Sequence, residues 1–183
     1  MRLKQLPNIL TAIRFFSIPI LWLLALYQQK TIFTVLFIIA ASTDIFDGFL
    51  ARKLKAQSKF GAKFDTVSDD LMTVSAIFWV YILMPEIITR NTIPLLILLV
   101  FFIIDYLTRI IKHKTIELPF HTILDKIGAL TGFLFLSHAL IFGYSKIFLY
   151  ILIIIGSLMA IEETILCLTR KKIDENTKSI FLR

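Results

Sequence analysis

Four aspartates, Asp44, Asp47, Asp65 and Asp69, stand in a chain whose remaining residues are suited to lipid. Carboxylates take hard divalent cations and remove protons, so their placement is the first sign of chemistry. Each ionised Asp near the centre of a membrane helix costs roughly 2.5–3.5 kcal/mol, and four together cost on the order of 10 kcal/mol. Something must compensate. A divalent cation such as Mg2+ or Mn2+ takes oxygen ligands and cancels the repulsion among neighbouring carboxylates, which makes it the simplest compensator.

Spacing supports the same reading. Asp44, Asp47, Gly48, Ala51 and Arg52 fall at i, i+3, i+4, i+7 and i+8, so a helix places them on one face. Gly61, Asp65 and Asp69 fall at i, i+4 and i+8 and share a face in the same way. With the two helices adjacent and joined by the short polar turn from Lys53 to Lys59, the four carboxylates are expected to meet in one oxygen-lined pocket.

At these residues the chain resembles the CDP-alcohol phosphatidyltransferase family, whose signature D-x2-D-G-x2-A-R-x8-G-x3-D-x3-D is matched at every fixed position from Asp44 to Asp69. The resemblance implies attack of an alcohol hydroxyl on the β-phosphorus of a CDP-linked lipid, giving a phosphodiester and CMP. It implies Asp44, Asp47 and Asp65 as ligands of Mg2+ or Mn2+, with Asp69 at the same metal site and acting as general base. Gly48 and Gly61 would let a nucleotide approach the backbone where a Cβ would clash, or would serve close helix packing. Ala51 extends that small-residue face. Arg52 either binds a phosphate or cytidine group or snorkels to lipid headgroups.

The amino-terminal run Leu6-Pro7-Asn8-Ile9-Leu10-Thr11-Ala12-Ile13-Arg14 also resembles the family's entry to its first helix. Asn8 and Thr11 are candidate nucleotide contacts there, and an N-cap accounts for Asn8 equally well. Arg14 lies about two turns inside the first helix and needs a carboxylate or a substrate phosphate beside it. Asp105 and Arg109, at i and i+4, either pair with each other or leave Arg109, with Lys112 and Lys126, to hold an acceptor phosphate. Asp70 stands where several members of the glycerophosphate-using branch carry a basic residue, so the chain departs from that pattern at one acceptor-side position.

These residues need elements to carry them. The chain has 183 residues, 57% of them hydrophobic, and a mean hydropathy of +0.82, too apolar for a soluble domain of this size. About 20 apolar residues are needed to cross the hydrocarbon, and six windows qualify: 9–28, 31–50, 67–88, 93–111, 124–142 and 147–168. The expected fold is therefore all-α, a polytopic membrane protein with six transmembrane helices forming one domain over residues 1–183. The first apolar stretch is expected to be a retained helix, since no small-residue cleavage site follows it.

Of the 20 Lys and Arg residues, sixteen fall on one side when the amino terminus is cytoplasmic, with only Lys30, Arg90 and Lys146 opposite and Arg14 inside the first helix. Both termini and the aspartate-bearing turn are accordingly expected to face the cytoplasm, most simply of a bacterial or archaeal plasma membrane. The net charge of +7 reads mainly as this bias and as attraction to anionic headgroups. Nucleic acid is not expected as a partner, because no basic segment is both soluble and interleaved with exposed aromatics.

Cys167, the single cysteine, is expected to be inert and buried near the end of the last apolar run. His113, His121 and His138 show no metal-ligand spacing. His138 reads as a polar residue packed between helices, and His121 as one near the interface.

The functional expectation is an integral membrane phospholipid synthase. It would take CDP-diacylglycerol and a small alcohol, with glycerol 3-phosphate or another phosphorylated polyol preferred, and the resemblance implies a homodimer embedded in membrane lipid. Two rivals use the same residues differently. One transfers phosphocholine or phosphoethanolamine from a CDP-alcohol onto diacylglycerol; the other is a cation-binding or transport protein without catalysis, for which the lack of broken helices or repeats is unfavourable.

Overall fold

The computed structural model describes residues 6–53, 59–114 and 122–170; the side chains of 6, 7, 44–53, 59, 60 and 62, although on helices, lie outside that description. The described residues form seven helices in order: α1 (Leu6–Leu26), α2 (Lys30–Lys53), α3 (Lys59–Leu83), α4 (Pro85–Arg90), α5 (Thr92–His113), α6 (Ile123–Phe142) and α7 (Lys146–Thr169). No strand occurs among the described residues. Helices are what such apolar runs must form, because lipid offers no partner for a backbone N–H or C=O and each must bond within its own segment.

Among the described residues, five stretches are long and apolar enough to cross a membrane: Asn8–Leu26, Lys63–Leu83, Thr92–His113, Ile123–Phe142 and Lys146–Thr169. The expected span over 31–50 falls on α2, where the apolar stretch among described residues is Lys30–Thr43. The expected span over 67–88 is broken at Met84, after which Pro85 opens the six-residue α4. Proline lacks an N–H and disfavours helix in the residue before it, so it ends one helix and starts another.

The connections carry their own signals. Gln28 turns at φ 57° after α1, and the amide of Gln29 donates to the Leu24 carbonyl at 2.8 Å. Lys114 closes α5 in the left-handed region, its N–H on the Ile110 carbonyl. Thr122 and Asp125 form a reciprocal capping box at the start of α6. Gly143, at φ 91°, ends α6 in a conformation that side chains rarely adopt.

The chain divides into two compact units, Met1–Ile88 and Thr89–Arg183. In the first, α1 packs on both α2 and α3. Trp79 of α3 is fully buried at its centre, with Phe33 edge-on at 5.2 Å and Trp22 at 6.2 Å between ring centroids. Trp22 donates its indole N–H to Ser75 Oγ at 3.0 Å, which fixes α1 against α3 one turn before Trp79.

In the second unit α7 packs on both α5 and α6. Small residues permit the close approach: a Cβ at Gly156 would stand 3.1 Å from Leu98 Cδ1, and one at Gly128 would stand 3.0 Å from Met159 Sδ. Tyr144 donates its hydroxyl to Asn91 Oδ1 at 3.0 Å. His138 packs against the rings of Phe142 and Phe148 at 5.4 and 4.7 Å, as expected of a residue between helices. Cys167 is a free, buried thiol on α7, and His121 lies outside the described residues.

Candidate functional site

The candidate site lies in the first unit, where α1 meets α3. Thr11 and Arg14, three residues apart, present one face of α1; Asp65, Ser68 and Asp69, at i, i+3 and i+4, present one face of α3. Arg14 joins the two faces. Its guanidinium bonds to Asp65 Oδ1 through Nη2, to Asp69 Oδ1 at 2.7 Å through Nη1, and to Ser68 Oγ at 3.3 Å through Nε. Thr11 donates its hydroxyl to the same Asp65 oxygen at 3.4 Å, and Ser17 Oγ donates to the Arg14 carbonyl at 2.6 Å. The partner that Arg14 needs inside the helix is thus a pair of the motif's own carboxylates.

Exposure is divided unequally across this cluster. The Arg14 side chain is 2% exposed, whereas Asp65 and Asp69 are 37% and 44% exposed. The cation lies at the bottom and the acids form the rim, so two carboxylates converge on one point with an open side. Hard oxygen donors in that arrangement suit a divalent cation such as Mg2+ or Mn2+. Among the described residues no group of three or more His, Cys, Asp or Glu is arranged to hold a metal. Asp44, Asp47, Gly48, Ala51 and Arg52 belong to α2, and their side chains fall outside the described residues. Gly61 stands one turn before Asp65 on α3, and Asp70 is exposed beside Asp69.

A groove of about 660 Å3 runs along α1, lined by Asn8, Ala12, Ile13, Phe16 and Ile20, with Leu36 from α2. Asn8 therefore borders an apolar channel. Its wall is mostly apolar, with Asn8 and Ser17 as its polar members.

The residues considered for an acceptor lie in the second unit. Arg109 pairs with Asp105 on its own helix at 2.6 Å and with Glu163 of α7 at 2.5 Å, and its Nε also donates to Asp105 Oδ2 at 2.7 Å. Lys112 donates to the Leu168 carbonyl near the end of α7, and His113 Nε2 stands 3.2 Å from the Cys167 carbonyl. Lys112 and His113, at the end of α5, thus reach carbonyls in the last turn of α7. Lys126 is exposed on α6.

Two participants escaped the sequence reading. Ser68 is fully buried and carries no charge to mark it, although its place between Asp65 and Asp69 puts it on their face. Glu163 had a usable signal: an acid inside an otherwise apolar run demands a partner.

Residues 4–169 match the profile of the family described as CDP-alcohol phosphatidyltransferase. Among curated proteins, the chain is similar to the CDP-diacylglycerol–glycerol-3-phosphate 3-phosphatidyltransferase of Cereibacter sphaeroides, with 43% identity over 77 residues, 40% of this chain and 35% of that protein. The enzyme of the same name from Haemophilus influenzae is 38% identical over 101 residues, 49% of this chain and 55% of its own. A third relative, CDP-diacylglycerol–glycerol-3-phosphate 3-phosphatidyltransferase 2 of Arabidopsis thaliana, is 40% identical over 75 residues, 39% of this chain and 32% of its own. The matches therefore span about a third to a half of the relatives' lengths. No solved structure matches the chain. With the aspartate motif complete in the sequence and the family profile running from residue 4 to residue 169, the chain belongs to the CDP-alcohol phosphatidyltransferase family.

Proposed function

We propose that the protein transfers the phosphatidyl group of CDP-diacylglycerol to the hydroxyl of glycerol 3-phosphate and releases CMP. The observation that carries this reading is the convergence of Asp65 and Asp69, beside Thr11, on one half-open point between α1 and α3. The names of the relatives supply the donor and the acceptor.

In this reading the acceptor oxygen bonds to the β-phosphorus, the pyrophosphate P–O bond breaks, and CMP leaves with that bond's electrons. Asp69 takes the hydroxyl proton, and its exposed position suits a group that must meet substrate. Asp44, Asp47, Asp65 and Asp69 would hold the divalent ion. Bound there, Mg2+ or Mn2+ would neutralise the pyrophosphate and the charge developing on CMP.

Gly48, Ala51, Gly61, Arg52, Asn8 and Thr11 form the nucleotide side of the site. The groove that begins at Asn8 suits an acyl chain of the donor. Arg109, Lys112 and Lys126 are the acceptor-binding residues, and for Arg109 that role requires a phosphate to share a guanidinium already bonded to Asp105 and Glu163. The whole chain acts as one domain with six spans, both termini and the site on the cytoplasmic face, and it works as a homodimer. The basic-residue asymmetry supports the orientation; the family resemblance supports the dimer.

Purified protein in lipid discs should release CMP from CDP-diacylglycerol when given Mg2+ or Mn2+ and glycerol 3-phosphate. Thin-layer chromatography of the lipid product, with inositol phosphate, serine and choline as competing acceptors, identifies the headgroup. Absence of CMP with every acceptor, or a clear preference for serine or choline, would overturn the assignment.

A further inference from the structure

We propose that Arg14 is the internal counter-cation of the aspartate motif, a positioning residue whose guanidinium keeps Asp65 and Asp69 turned to a single point. The proposal builds on the reading of these acids as the reactive site, but its central test needs neither metal nor substrate.

Three observations converge on it. First, the side chain is 2% exposed, deep inside an apolar helix, where a cation without partners would be costly. Second, each of the three guanidinium nitrogens reaches the same turn of α3: Nη2 on Asp65, Nη1 on Asp69 at 2.7 Å and Nε on Ser68 at 3.3 Å. A planar fork can read three positions at i, i+3 and i+4 at once, whereas the single ammonium of a lysine cannot. Third, the two acids lie one turn apart on the same helix face, the spacing at which like charges repel. Arg14 sits between them and removes that repulsion from below, while their outer sides stay 37% and 44% exposed.

The consequence is a site partly neutralised before any ion arrives. Within this trio one guanidinium offsets one of the two carboxylate charges, and the same contacts hold both Oδ1 atoms against rotation. A divalent cation approaching the open side meets oriented ligands but also a fixed positive charge behind them. Arg14 therefore trades some ion affinity for a rigid ligand set in the ion-free protein.

Charge-swap melting in lipid discs tests this directly on the full chain. In EDTA, Arg14→Met should lower the melting temperature by more than about 5 °C, and Asp69→Asn alone should also lower it. Combined, the two changes should raise the melting temperature above that of Arg14→Met, because the second removes the repulsion that the first exposes. Arg14→Lys, which keeps the charge and loses the fork, should fall between wild type and Arg14→Met and serves if Arg14→Met does not fold. With Mn2+, Arg14→Met should gain more degrees than wild type and bind the ion about threefold or more tightly by titration calorimetry.

Additive losses in EDTA, with Arg14→Lys no better than Arg14→Met, would overturn the proposal and leave Arg14 as a packing residue between α1 and α3. If Mn2+ binds no variant, the phosphatidyltransferase reading fails, while the EDTA melts alone still uphold or overturn the counter-cation role.

Discussion

Among the described residues, Arg14 and Arg109 each pair with two carboxylates, and the two clusters are built inside out with respect to each other. At Arg14 the cation is buried and its acids are 37% and 44% exposed. At Arg109 the cation is 15% exposed and its acids, Asp105 and Glu163, are 5% and 9% exposed. An exposed carboxylate already oriented by a buried cation can take a further cation on its outer side. A buried carboxylate cannot do so without breaking packing, and among the described residues Asp105 Oδ1 has no hydrogen-bond partner within normal distance. The first cluster is therefore arranged for exchange of ligands, and the second as a tie between α5 and α7.

The largest effect that would sharpen this contrast is on turnover. Asp69→Asn keeps an oxygen and loses basicity, and CMP release should fall by roughly 10²–10⁴-fold. Wild-type turnover in that variant would remove Asp69 from the role of base and weaken the claim that the open cluster is the reactive one.

Arg109→Ala probes the closed cluster, where it strands two buried acids. It should destabilise the protein by about 3–5 kcal/mol, seen as a lower melting temperature in detergent. Should Arg109 also hold acceptor phosphate, the surviving protein will show an acceptor KM raised well above any change in donor KM. A melting temperature equal to wild type would break the comparison, because it would mean that the buried pair ties nothing.

Asp65→Asn breaks a rim contact instead. Its partner retains Asp69 and Ser68, so stability should change by only about 1 kcal/mol, while metal-dependent CMP release should be largely lost. A stability loss as large as that of Arg109→Ala would show that the rim is as structural as the buried tie.

Smallest of all is Thr11→Val, which removes a long hydrogen bond of 3.4 Å and should alter the melting temperature by less than 2 °C, within about 0.5 kcal/mol. A rise in donor KM with unchanged melting would place Thr11 against the nucleotide.

Much of the fold was legible from residue types. Apolar runs of about 20 residues can only be helices in lipid, and α5, α6 and α7 lie within two residues of the windows expected for them. The second window falls on α2, which continues past it to Lys53. The third window, 67–88, lies too far along the chain. Helix α3 begins at Lys59, where polar residues hide a helix from a hydropathy window, and ends at Leu83, one residue before the break ahead of Pro85. Part of the site was legible too, since Asp65 and Asp69 at i and i+4 had to share a face whatever the fold.

By itself, then, the sequence determined the helices, the shared faces of the aspartate motif and the need of each buried cation for a partner, because those follow from local geometry and from the cost of charge in hydrocarbon. Only the tertiary structure decided which partner each cation took. Arg14 meets Asp65 across 51 residues, and Arg109 meets Glu163 across 54. Helical spacing says nothing about which helices pack together; that choice is made by the fit of Trp79 among Phe33, Phe37 and Trp22 in one unit and of α7 against α5 at Gly156 in the other, where close packing rather than charge brings the faces into contact.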